Sequence, residues 1–155
     1  MRNCQPILLV EDDTIDAMTV KRAFKELKVI NPLAHALNGE DALAYLREGE
    51  GENPCVILLD LNMPKMNGVE FLKIAKDDPS LKKIPVVVLT TSNEERDIIE
   101  SFKLGVAGYI VKPVDYRKFV EAIRTIDLYW TLSELPDADI VPQPSCGQKP
   151  LAAEC

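Results

Sequence analysis

The sequence predicts an α/β domain built as a doubly wound sandwich around a five-stranded parallel sheet. Three observations carry this. Ile7–Val10, Val56–Leu59 and Val86–Leu89 are almost unbroken apolar runs, the pattern of strands covered on both faces. Each run ends in polar or charged residues and is followed by a segment with helical periodicity. Strand and helix signals alternate five times along the chain, which right-handed crossovers wind into a sheet with helices on both sides.

The elements follow in order. Pro6–Val10 reads as a strand ending in Glu11-Asp12-Asp13. Thr14 is placed to cap a helix with Ile15, Met18, Ala23, Phe24 and Leu27 on its inner side, broken by Asn31-Pro32. Leu33–Leu37 is a weaker strand, Asn38-Gly39 a turn, and Glu40–Arg47 a short helix with Ala42, Leu43 and Leu46 inward. Gly49, Gly51, Asn53 and Pro54 form a loop. Cys55–Leu59 is a strand ending in Asp60, Asn62–Gly68 a loop, and Val69–Lys76 a helix stopped by Asp78-Pro79-Ser80. Pro85–Leu89 ends in Thr90-Thr91-Ser92. Asn93–Leu104 is a helix with Ile98, Ile99 and Phe102 inward, closed by Gly105. Gly108–Val111 ends in Lys112-Pro113, and Asp115 caps a last helix whose stripe is Phe119, Ile123, Ile126 and Trp130. The globular domain is assigned to residues 6–130. Residues 131–155, where Pro136, Pro142, Pro144 and Pro150 alternate with small and polar residues, are expected to be an arm and an extended or flexible tail.

Composition limits the function. Among 155 residues, 46% are hydrophobic and the net charge is −7, which argues against a broad nucleic-acid surface or an anionic membrane surface as partner. The apolar run at Ile7–Val10 is far short of the about 7–15 residues of a signal-peptide core or the about 20 of a membrane span. A cytoplasmic protein is expected. Cys4, Cys55, Cys146 and Cys155 form no CxxC pair, and His35 is the only histidine, so reduced thiols are expected rather than a zinc site. His35 sits between apolar residues on a strand and reads as a structural imidazole.

The chemistry lies at the strand ends. Glu11 and Asp12 end the first strand, Asp60 the third, Thr90 the fourth and Lys112 the fifth. In an open parallel sheet these ends share one edge, the place where such folds bind ligands. Three acids in one pocket repel; two unit charges about 4 Å apart at an effective dielectric near 20 cost on the order of 4 kcal/mol. A bound Mg²⁺ or Mn²⁺ relieves this with oxygen ligands. Lys112 adds a fixed positive charge, though a plain ion pair with Asp60 would also explain it. A carboxylate surrounded by a metal, a lysine and a hydroxyl suits phosphoryl transfer to aspartate: nucleophile, charge neutralisation and a hydrogen-bond donor.

Taken together, Ile7-Leu-Leu-Val-Glu-Asp-Asp13, Leu58-Leu-Asp-Leu-Asn-Met-Pro-Lys-Met-Asn-Gly68, Val88-Leu-Thr-Thr91 and Gly108-Tyr-Ile-Val-Lys-Pro113 resemble the receiver domains of two-component response regulators, over about residues 6–130. The resemblance implies the flavodoxin-like (βα)5 fold with Asp60 as phosphoacceptor. It implies that Glu11, Asp12, Asp60 and the backbone carbonyl of Asn62 hold Mg²⁺, and that Thr90 and Lys112 contact the phosphoryl group. Tyr109 corresponds to the aromatic switch residue that turns inward when Thr90 moves. A cis Lys112-Pro113 bond is expected on the same ground. Asn62 and Ser92 stand at the positions that tune dephosphorylation in the family. Asp13 carries no family role.

The stretch Tyr129-Trp-Thr-Leu-Ser-Glu-Leu-Pro136 resembles single-domain response regulators that partner bacterial phytochromes and related sensor histidine kinases. A sensor histidine kinase, of the bacteriophytochrome kind, is therefore the expected partner. Output is expected through protein contacts or phosphoryl relay. Leu128, Leu132 and Leu135 lie roughly opposite the core stripe of the last helix, which suggests a homodimer held by the C-terminal arm; the alternative is a helix that ends near Trp130, with Leu132 and Leu135 folding back on the domain.

Three rivals are weaker. A haloacid-dehalogenase-type phosphatase needs a second aspartate two residues after the nucleophile, where this chain has Asn62. A phosphorylation-independent receiver would be suggested by loss of an acid or of Lys112, and all are present. Nucleotide binding would bring GxGxxG or GxxxxGK[ST], and neither occurs.

Overall fold

A computed structural model describes residues 5–48, 53–63 and 65–132, with side chains described as far as residue 127. Five strands and five helices alternate: β1 Ile7–Val10, α1 Thr14–Glu26, β2 Leu33–Ala36, α2 Gly39–Glu48, β3 Val56–Leu59, α3 Gly68–Asp77, β4 Val86–Thr90, α4 Glu95–Lys103, β5 Gly108–Val111 and α5 Tyr116–Leu132. All neighbouring strands pair in parallel, in the order β2-β1-β3-β4-β5.

The side-chain alternation of each strand divides the core into two layers. Leu8, Val10, Ile57, Leu59, Val86 and Val88 face one side, where α2 and α3 bring Leu43, Leu46, Phe71 and Leu72. Ile7, Leu9, Val56, Leu58, Val87 and Leu89 face the other, against Val20 and Phe24 of α1 and Phe119, Ile123 and Ile126 of α5. The central strands β1, β3 and β4 are wholly buried, whereas the edge strands β2 and β5 are mostly half-buried. Central strands therefore have to be apolar at every position, and this is what made them legible in the sequence.

Several local expectations are corrected. Asp13, not Thr14, caps α1: its Oδ1 accepts from the backbone N–H groups of Ile15 and Asp16 at 2.8 and 3.1 Å. Ile15 and Met18 point outward, and the inner stripe of α1 is Ala17, Val20, Ala23 and Phe24. Small alanines let the helix approach the sheet between Val20 and Phe24, and Ile15 and Met18 are left on the outer face. On α4 the fully buried residue is Ser101, while Ile99 and Phe102 are exposed and Ile98 is partly buried. There is no cis peptide bond among the described residues, so Lys112-Pro113 is trans. Lys112 needs no cis bond to enter the site, because its backbone N–H bonds to the Thr90 carbonyl at 2.7 Å and continues the β5 ladder by one residue.

Among the described residues no helix is long and apolar enough to cross a membrane. Leu128 and Leu132 fall within α5, but their side chains lie outside the described residues, as does Leu135 entirely.

Candidate phosphorylation site

The site forms at the carboxyl edge of the sheet, where β1 and β3 lie side by side. From β1 the chain turns to β2 on one flank and then crosses to β3 on the other, which leaves a crevice between the loops that follow β1 and β3. The backbone N–H of Asp60 bonds to the Val10 carbonyl and that of Glu11 to the Ala36 carbonyl, so both acids are fixed by extension of the ladders. His35 helps from β2: its Nε2 lies 2.8 Å from the Glu11 carbonyl oxygen. Gly68 closes the far side of the β3 loop. A Cβ there would stand 2.6 Å from the Asp60 carbonyl oxygen and 2.7 Å from the Leu61 Cα, so only glycine allows α3 to start so close to the acid. Asn67 caps that helix with a reciprocal capping box to Glu70.

The structure brings Glu11, Asp12, Asp60, Thr90 and Lys112 together as their strand-end positions predict. Carboxylate oxygens of Glu11, Asp12 and Asp60 lie within 4.8 Å of one another. Glu11 and Asp60 are buried, and Asp12 is exposed. The Thr90 hydroxyl donates to Asp60 Oδ1 at 2.7 Å, and the Asn62 backbone N–H reaches the same oxygen at 3.3 Å. Lys112 Nζ stands 3.9 Å from the other oxygen, Oδ2.

Lys112 makes its short contacts elsewhere. Its ammonium donates to Glu11 Oε1 at 2.6 Å and to Asp16 Oδ2 at 2.9 Å. Burial works against this charge, but the hydrogen bonds to Glu11 and Asp16 outweigh it and raise the Lys112 pKa above its ordinary value. Burial pushes the Glu11 carboxyl the other way for an acid, up to about 7; the Lys112 hydrogen bond opposes the rise and the Asp60 charge adds to it. The Asp13 backbone N–H binds the second Glu11 oxygen at 3.1 Å. A carboxylate that resists ionisation until a further positive charge arrives fits the donor set of a hard divalent cation.

Tyr109 lies one strand away on β5, partly buried, with its hydroxyl donating to the Ser92 carbonyl at 2.9 Å. The Ser92 hydroxyl in turn donates to Asp97 on α4 at 2.6 Å. The loop after Thr90 is thus tied to the ring and to the helix. A polar groove of about 450 Å³, lined by Asn62, Asn67, Thr91, Ser92 and Asp97, opens beside the site. Asp16 is the site residue that reading strand ends missed. Its signal was available: one helical turn after Asp12, in the first turn of a helix that begins at the site, an acid faces back toward the strand ends.

Comparison with known proteins agrees with this geometry. Residues 7–124 match the model of the response regulator receiver domain. The chain is 41% identical over 128 residues to the response regulator Rcp1 of Synechocystis sp., covering 80% of this chain and 87% of that one. Among solved structures it is similar to the phosphorylated cyanobacterial phytochrome response regulator RcpA, with a TM-score of 0.80 and 38% identity over 86% of this chain and 99% of that chain. The Mn²⁺-bound form of Rcp1 gives a TM-score of 0.77 and 39% identity over 85% and 99%. The chain belongs to the response regulator receiver family, signalling proteins in which an aspartate is phosphorylated with the help of a metal.

Proposed function

We propose that Asp60 is the phosphoacceptor of this receiver, and that its cognate donor is a sensor histidine kinase of the bacteriophytochrome kind. The observation that carries the reading is the division of labour around one carboxylate: Thr90 Oγ1 at 2.7 Å from Oδ1, and the Lys112 ammonium 3.9 Å from Oδ2. A carboxylate oxygen of Asp60 attacks phosphorus, the bond from phosphorus to the donor's imidazole nitrogen breaks, and its electron pair returns to that nitrogen. The product is an acyl phosphate on Asp60. Glu11, Asp12, Asp60 and the Asn62 carbonyl would hold Mg²⁺ (or Mn²⁺), which would neutralise charge on the phosphoryl oxygens.

Lys112 supplies the second positive charge, and the Thr90 hydroxyl turns from Asp60 to donate to the phosphoryl group. Movement of Thr90 is read out by Tyr109, whose hydroxyl is tied to the same β4–α4 loop at Ser92. The reverse chemistry belongs to the same site: water attacks phosphorus, the bond to Asp60 breaks and inorganic phosphate leaves. The likeness to RcpA, a phytochrome response regulator, supports the kind of kinase. The receiver unit is taken as residues 6–130, acting in the cytoplasm, with Leu128, Leu132 and Leu135 of the C-terminal arm forming a two-fold dimer contact.

Incubation with acetyl phosphate, followed by intact-mass measurement, tests the chemistry. One phosphoryl group should be gained in Mg²⁺ and none in excess EDTA, and Lys112→Ala should label more slowly. Full labelling in EDTA would remove the metal from the reading.

A further inference from the structure

Lys112 has two short hydrogen bonds, and their acceptors differ in kind. Glu11 is buried at the end of β1 and belongs to the three-carboxylate cluster. Asp16 stands on the first turn of α1, outside that cluster, with its side chain 40% exposed, and its Oδ2 holds Lys112 Nζ at 2.9 Å. A divalent cation held by the cluster would compete for the Glu11 oxygens and repel the ammonium beside them. Asp16 is then the carboxylate that keeps its hold on Lys112.

We propose that Asp16 is a positioning residue that tethers Lys112 Nζ beside Asp60, keeping the ammonium within reach of the incoming phosphoryl group when the metal is bound. The proposal rests on the role given to Lys112 above. A lysine on a four-carbon stem loses much rotamer freedom when its charge is fixed. Asp16 fixes it before the phosphoryl group arrives, which is worth rate only if the tether itself is rigid. It is built on a helix rather than a loop, and Asp13 locks that helix start by accepting from the Asp16 backbone N–H. A purely structural part for Asp16, as an acid near the N-terminus of α1, would act through the helix and be indifferent to Lys112.

A double-mutant cycle separates the two. The full-length chain is labelled with acetyl phosphate in saturating Mg²⁺ and the rate followed by intact mass, with thermal unfolding of each variant as the check on folding. Asp16→Ala should slow labelling about three- to tenfold, the range expected for loss of one charged hydrogen bond at a half-exposed site. Asp16→Asn keeps an oxygen acceptor for the ammonium and should recover most of the rate. In a Lys112→Ala background, Asp16→Ala should add less than about a twofold effect. A wild-type or faster rate for Asp16→Ala, or an equal slowing with and without Lys112, overturns the tether. Should Lys112→Ala alone label at the wild-type rate, the role of Lys112 fails first, and the tether with it.

Discussion

Glu11 is the residue on which the electrostatics of the site turn. Its side chain is buried, and its carboxyl titrates near 7 instead of its ordinary 4.5. For an acid with a raised folded-state pKa, the folded protein holds a proton that the unfolded chain has already lost between these two values. Glu11's contribution to the stability of the metal-free protein should therefore be fully present below about pH 4.5, be lost as pH rises through about 7, and level off above it. The loss should be on the order of 3 kcal/mol. Urea unfolding in EDTA at pH 5 and pH 8 measures it, and Glu11→Gln should flatten the difference. Mg²⁺ at pH 8 should restore what ionisation removed. At this scale Asp60, Thr90 and Lys112 were legible because each terminates a strand, and strand ends converge in any parallel sheet. Asp16 and the cap at Asp13 were not, because they act from the helix that follows, where an exposed acid looks like any other solvated charge. Lys112-Pro113 was expected to be cis on likeness to relatives, and it is trans.

Elements place these residues by close approach, and Gly68 is the clearest case. It has an ordinary φ, so its requirement is space and not backbone freedom: a Cβ would strike the backbone of Asp60 and Leu61. Gly68→Ala should destabilise by about 1–3 kcal/mol, as overpacking does, and should also lower the phosphorylation rate by moving the β3 loop. Gly105 is the contrast. It sits at φ +91° after α4 with nothing near its missing Cβ, so Gly105→Ala should cost about 1 kcal/mol through backbone strain and leave phosphorylation unchanged. Chemical denaturation with parallel labelling assays distinguishes the two patterns. The helix faces show where sequence reading lost ground. Choosing the largest apolar residues put Ile15, Met18, Ile99 and Phe102 inside, whereas the structure buries Ala17 and Ser101 instead, alongside the correctly read Ala23. On α5, Phe119, Ile123 and Ile126 recur at helical spacing and are buried as read, joined by Val120, while the side chain of Trp130 lies outside the described residues.

For the whole molecule, the sheet order places the three-carboxylate cluster between β1 and β3, with Tyr109 on β5 one strand beyond Thr90 and bonded to the loop that follows it. The fold class followed from the three central apolar strands together with the alternation of strand and helix signals, and the edge strands could be placed only through that alternation. The proposed dimer belongs to this scale too. If the arm leucines pair across a two-fold axis, each contributes about 1.5–3 kcal/mol gross, enough for association at micromolar concentration after the entropy of association is deducted. Replacing Leu128, Leu132 and Leu135 together with serine should convert a dimer to a monomer in light scattering, with phosphorylation of the monomer retained. A wild-type chain that is monomeric at high micromolar concentration would remove the arm contact without touching the site. The central claim is the nucleophile itself. The most direct measurement is intact mass and peptide mapping after acetyl phosphate in Mg²⁺, for the wild type and for Asp60→Ala. The wild type should gain one phosphoryl group, on the peptide containing Asp60, and the variant should gain none. A variant that still gains a stable phosphoryl group would place the acceptor elsewhere and contradict the account.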